Sequence, residues 1–127
     1  MRKRNDAVEH ELYRCHAEMC KVFSHPTRLE ILSTLREEEL AVSELARRLQ
    51  VAIGNLSQHL NMMKQRRVLA SRKDGNNVYY RLGSLKMLRA FDLIREILLE
   101  QMQREATLVR HMERAQARSR GREIPSQ

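Results

Sequence analysis

Residues 43–82 read SELARRLQVAIGNLSQHLNMMKQRRVLASRKDGNNVYYRL, and three different periodicities follow one another within them. A short helix opens near Ser43, a residue type that caps helix N-termini, and its spacing buries Leu45, Ala46 and Leu49. After the tight link Gln50-Val51-Ala52, a second helix over residues 53–65 places Ile53, Leu56, Leu60 and Met63 on one apolar face. The period then changes. Residues 68–72 and 78–82 have strand character and flank Lys73-Asp74-Gly75-Asn76-Asn77, whose residue types tolerate the positive φ of a tight hairpin. Helix, short link, helix and hairpin, in that order, make a winged helix-turn-helix.

The second helix also divides by chemistry. Opposite its apolar side stand Gly54, Asn55, Gln58 and Asn61, with Ser57 and His59 on the flanks. Small and neutral polar groups of this kind can enter a major groove and pair with base edges, Asn and Gln suiting adenine. A merely solvated helix face more often carries Lys and Glu. His59, beside the apolar side, is expected to position the helix rather than to catalyse. The hairpin adds Arg72 and Lys73, suited to phosphates or a narrow minor groove.

Flanking segments extend the pattern in both directions. Residues 9–23 form a helix with a stripe of Leu12, His16, Met19, Cys20 and Phe23, and Pro26 suits the first turn of the next helix, residues 27–36. The acidic run Glu37-Glu38-Glu39 connects to residue 43. Beyond the hairpin, residues 84–118 make one amphipathic helix with Leu88, Phe91, Ile94, Leu98, Met102, Val109 and Met112 near one stripe. Such a helix is about 50 Å long. A domain this small cannot cover it, so a second copy of the chain is the natural cover. The expected organisation is one domain over residues 1–118, mainly α with a small β-hairpin wing, and a disordered basic tail over residues 119–127.

Composition narrows the function. The chain has 127 residues, enough for one core, with 42% hydrophobic residues and a formal charge of +8 that favours polyanions. Aromatics are 4% and Trp is absent, which disfavours a single-strand binder built on stacking. No apolar run is long enough to span a membrane, and Met1–Arg4 leads into Asn5-Asp6 rather than a signal core, so a cytoplasmic protein is expected. No Ser/His/Asp set, phosphate-cradling glycine loop or paired-carboxylate pocket is evident, which argues against an enzyme.

The stretch from Phe23 to Leu82, with its HPTRLEIL, SELA, SQHL and VYYRL elements, resembles the arsenic-repressor-type (ArsR/SmtB) family of bacterial transcriptional regulators. The resemblance covers about half the chain directly. It implies a homodimer, joined through its first and last helices, that binds an inverted repeat in double-stranded DNA as a repressor and is released by a ligand. Half-sites would then lie about 34 Å apart. Two positions depart from the family pattern. Ala52 replaces a hydroxylated residue that caps the recognition helix, and Arg67 replaces the glycine that ends it. A left-handed Arg is unfavourable, so a locally different turn is expected there. Arg66 and Arg67 are read either as phosphate contacts or as solvated basic surface.

The family's metal sites are not carried over. The Cys-x-Cys position corresponds to residues 40–45, which hold no cysteine, and the last-helix site is broken, with Asp92 followed by Ile94 and His111 by Met112-Glu113-Arg114. Metal and cofactor are therefore left unassigned. The possible sensor residues are Cys15, His16 and Cys20. His16 and Cys20 share a helix face and suit a soft metal or thiol-reactive signal, whereas Cys15 and Cys20 diverge by roughly 140°. Cys20 also fits a packing role on the apolar stripe. The alternative to a sequence-specific regulator is a ligand-independent or non-specific architectural nucleic-acid-binding protein.

Overall fold

The computed structural model describes residues 2–123 and divides into two compact units, Met1–Phe91 and Asp92–Gln127. In chain order the elements are α1 (Arg2–Cys20), a 3-10 turn (Lys21–Phe23), α2 (Pro26–Thr34), β1 (Leu40–Ala41), α3 (Val42–Leu49), α4 (Ile53–Gln65), β2 (Leu69–Asp74), β3 (Asn77–Leu82) and α5 (Leu85–Glu123).

The core of the first unit is where α2, α3 and α4 meet the sheet. Val22, Ile31, Leu32, Leu45, Leu56 and Met63 are fully buried, with Leu35, Leu60, Val68 and Leu69 nearly so. Pro26 opens α2, as expected, and His25 caps it by accepting a hydrogen bond from the Thr27 N–H at 3.2 Å. The helix-turn-helix pair ends twice on the same device. Gln50 (φ 55) and Arg67 (φ 61) are left-handed, and each closes its helix through paired backbone bonds. Gln50 N donates to Arg47 O and Val51 N to Ala46 O, while Arg67 N donates to Lys64 O and Val68 N to Met63 O. These are Schellman turns, which satisfy the last carbonyls of a helix. The expectation of a locally different turn at Arg67 is thus corrected: the helix ends in an ordinary left-handed turn, held by a residue whose Cβ makes that conformation strained.

The sheet has three strands in the order β1-β3-β2, all antiparallel. The strand β1 was not expected. Two residues are too few to show an alternating pattern, yet Leu40 and Ala41 pair with Tyr80 and Tyr79 and fix the acidic connector against the hairpin. Because Ala41 is extended (ψ 150) at the end of that strand, it becomes the N-cap of α3 without a side-chain bond. Ser43 lies inside the helix, so its expected capping role is corrected. The hairpin is also tighter than the sequence suggested. Asp74 pairs with Asn77, leaving Gly75 (φ 61) and Asn76 as a two-residue turn and placing Arg72 and Lys73 within β2.

Helix α1 begins at Arg2, earlier than the expected residue 9, and Leu12 on its supposed apolar stripe is 64% exposed. Helix α5 continues through residues 119–123, which were expected to lie in a disordered tail; residues 124–127 fall outside the described residues. In the second unit Ile94, Leu98, Met102, Val109 and Met112 are all exposed. Among the described residues no helix is long and apolar enough to cross a membrane.

Candidate nucleic-acid interface

One side of α4 is locked in the core by Leu56, Leu60 and Met63. The other side is open. Gly54, Asn55, Gln58 and Asn61 are exposed and Ser57 is half-buried, in the arrangement the sequence suggested. Gln65 continues the line Gly54-Gln58-Asn61 by one more turn and was not singled out from sequence. Among the described residues none of Asn55, Gln58, Asn61 and Gln65 has a hydrogen-bonding partner for its side chain. A Cβ built on Gly54 would meet nothing within 4 Å, so internal packing does not require glycine there. Glycine in a helix costs about 1 kcal/mol relative to alanine. What it provides is a low point on the exposed face.

Two residues of α4 are placed differently from expectation. Ile53, assigned to the buried side, is 55% exposed at the first position of α4. His59, expected at the edge of the contact surface, is 9% exposed and turned inward. Its Nδ1 accepts a hydrogen bond from Arg28 Nε at 3.2 Å, and its ring lies 4.4 Å from that of His25. Burial, His25 and Arg28 all push the imidazole pKa below its ordinary value. His59 therefore holds α4 to α2 as a neutral acceptor and is withdrawn from the candidate contact residues.

Arginines around α4 are mostly engaged. Arg66 donates to Glu18 at 2.9 Å, tying α1 to the end of α4. On α3, Glu44 accepts from Arg47 at 3.0 Å and from Arg48 at 3.1 Å, and these bonds hold its carboxyl at about 2. Arg48 also reaches Glu38 at 2.6 Å. Ala52 caps α4 with no side-chain bond, as its lack of a hydroxyl implies, and Ser43 is exposed on α3.

The wing's outer surface is more organised than the sequence disclosed. Arg72 and Tyr79 are paired across β2 and β3, and the guanidinium carbon lies 4.4 Å from the ring centre. Arg72 Nε donates to Glu39 at 2.6 Å, a partner 33 residues away that no local pattern reveals. Lys73 is exposed and has no ion pair among the described residues.

The sensor candidates lie on α1. Cys15, His16 and Cys20 are all exposed, which corrects the packing role suggested for Cys20; Val22 is the buried residue there. Cys15 Sγ donates to Glu11 at 3.8 Å. Among the described residues no three His, Cys, Asp or Glu side chains gather around a point that could hold a metal ion.

Residues 23–72 match the family described as Helix-turn-helix domain. The chain is 33% identical over 88 residues to the HTH-type transcriptional regulator Rv0081 of Mycobacterium tuberculosis, covering 68% of this chain and 77% of that one. The crystal structure of Rv0081 superposes with a TM-score of 0.69 at 30% identity, covering 75% of this chain and 96% of its own. The transcriptional activator HlyU of Vibrio cholerae is 32% identical over 79 residues, covering 62% of this chain and 73% of its own. A homodimeric winged helix-turn-helix DNA-binding domain from Mycobacterium bovis, solved by NMR, superposes with a TM-score of 0.66 at 26% identity, over 72% of this chain and 85% of its own. With the two capped helices, the exposed polar face of the second and the paired wing behind it, the chain belongs to the ArsR/SmtB-type family of winged helix-turn-helix transcriptional regulators.

Proposed function

We propose that the chain acts in the cytoplasm as a homodimeric, non-catalytic repressor that reads an inverted repeat by laying α4 in the major groove. The observation that carries this reading is the α4 face itself, neutral, polar and without internal partners, on a helix whose other side is immobilised by the core. In this reading Asn55, Gln58 and Asn61 meet base edges, and Ile53 offers an apolar contact for a thymine methyl. Gly54 permits close approach, Ser43 and Ser57 bond phosphates, and Arg72 and Lys73 bring positive charge to the backbone. The exposed apolar residues of α1 (Val8, Leu12, Tyr13) and of α5 supply faces for a second copy. Occupation of promoter DNA by such a dimer excludes polymerase, which is the basis for repression. The exposed thiols of Cys15 and Cys20, with His16 beside them, are the groups through which a soft metal or thiol-reactive signal acts.

The test is a binding titration on an inverted-repeat fragment from the gene's own upstream region, against random duplex. Gln58→Ala should lose roughly 5- to 150-fold on the operator, the value of one bidentate base contact, and little on random DNA. Equal loss on both removes Gln58 as a base reader. Failure of the wild type to prefer any upstream fragment over random duplex favours an architectural protein instead. Transcription from that promoter, raised rather than lowered by added protein, would make it an activator. Repeating the titration with Cys15→Ser and Cys20→Ser under oxidant or thiophilic metal tests the sensor.

A further inference from the structure

The outer surface of the sheet places two arginines and one carboxylate on the same face. In register, Arg72 faces Tyr79, Ala70 faces Arg81, and Ala41 faces Tyr79 from the other side. Glu39, just before Leu40, is therefore level with Arg81. Its two carboxylate oxygens are divided between the arginines, one 2.6 Å from Arg72 Nε and the other 3.8 Å from Arg81. Asp74 stands further from Arg72, at 3.9 Å. The Glu39 side chain is 26% exposed, against 49% for Arg72 and 52% for Arg81, so the cations face solvent above a carboxylate that is partly covered.

We propose that Arg72, Arg81 and Tyr79 form a binding site for a backbone phosphate diester of duplex DNA, and that Glu39 occupies this site in the free protein as a built-in competitor. The proposal rests on the DNA-binding reading given above and adds residues and a brake to it. Three observations support it. Guanidinium groups bind carboxylate and phosphate with the same planar donor pattern, so a carboxylate held by converging arginines marks a place where a phosphate fits. One carboxylate divided between two guanidiniums leaves unused donors, Arg81 above all, whose contact is long, and the second carboxylate, Asp74, is 3.9 Å from Arg72 and 73% exposed. The Tyr79 ring fixes the guanidinium plane of Arg72 whichever anion is present. When a phosphate arrives, the Glu39 carboxylate swings to solvent and keeps its charge; no bond other than hydrogen bonds changes.

The experiment compares wild type, Glu39→Gln, Glu37→Gln, the double variant Arg72→Gln/Arg81→Gln and the triple variant that adds Glu39→Gln to it. Each is titrated on operator and on random duplex over a salt series, with circular dichroism to verify folding. Glu37 is exposed and has no ion pair among the described residues, so Glu37→Gln changes net charge equally without touching the site. Glu39→Gln is expected to tighten binding to both duplexes by roughly 3- to 20-fold, the range for releasing two half-exposed ion pairs. Glu37→Gln should change it less than two-fold, and the triple variant should bind no better than the double. The double variant should flatten the slope of log K against log salt by about one per protomer, the value for one phosphate. A Glu39→Gln gain no larger than that of Glu37→Gln, or one that persists without the arginines, overturns the proposal. A double variant identical to wild type overturns it as well, while leaving the DNA-binding reading intact; a wild type that binds no duplex fails that reading first. Replacing chloride by inorganic phosphate at equal ionic strength should weaken wild-type binding more than that of the double variant, because the free anion competes with the diester for the arginines; an equal effect on both proteins overturns the assignment.

Discussion

Arg67→Gly should make the protein more stable, although it deletes a large side chain. The residue sits at φ 61, at the Schellman turn that ends α4, is exposed, and has no side-chain partner among the described residues. Holding a residue with a Cβ in left-handed geometry costs about 1–2 kcal/mol. Glycine removes that strain but loosens the unfolded chain, which costs about 0.4–1 kcal/mol. The net gain is about 0.5–1 kcal/mol, a rise in Tm of about 2–4 °C for a domain of this size. Urea unfolding followed by circular dichroism measures it, at fixed protomer concentration because a dimer's stability depends on concentration. Arg67→Ala is the control. It removes the same charge and keeps the Cβ, so it should shift stability by no more than a few tenths of a kcal/mol. If Arg67→Ala stabilises as much as Arg67→Gly, charge relief among the basic residues explains the effect and backbone strain does not. If Arg67→Gly destabilises, the left-handed turn is not a source of strain at all.

Gly83→Ala should act in the opposite direction. A Cβ there would stand 3.0 Å from the Arg67 carbonyl oxygen and 3.1 Å from the Leu69 carbonyl carbon, both backbone atoms with little room to yield, so a loss of about 1–3 kcal/mol in the same unfolding assay is expected. Stability should also depend on pH through His59. Its folded-state pKa lies below the unfolded value of about 6.5, so the unfolded chain takes up the proton first as pH falls. The contribution is complete above about pH 6.5 and is lost as pH falls towards the folded pKa; a His59→Gln variant should show a flatter stability profile between pH 7 and 5, and an unchanged profile would mean that another group titrates there.

Much of this architecture is legible in the sequence because its determinants are local. Heptad-like spacings place Leu45, Leu56, Leu60 and Met63 in the core, and Asp-Gly beside alternating apolar residues marks the hairpin. The errors arise where a distant partner overrides the local signal. Ser43 has the chemistry of a cap, but pairing of Ala41 with Tyr79 moves the start of α3 upstream. His59 has the look of a surface residue until Arg28 supplies a donor from α2. Arg72 reads as a free cation because Glu39 lies 33 residues away. Cys20 was placed on an apolar stripe by helical spacing, yet the chain tightens into a 3-10 turn just beyond it, and Val22 takes the buried position.

Between Ile53 and Met63 the exposed side of α4 carries no cation. On a wrong sequence such a surface gains almost nothing from long-range attraction and leaves Asn and Gln amides pressed against unmatched edges, stripped of water. Residence at random sites is then short. The time a dimer takes to locate its target in a genome depends on how quickly it abandons each false one, so with α4 laid in the groove as proposed, an uncharged contact face between Ile53 and Met63 would shorten the search as well as sharpen the choice.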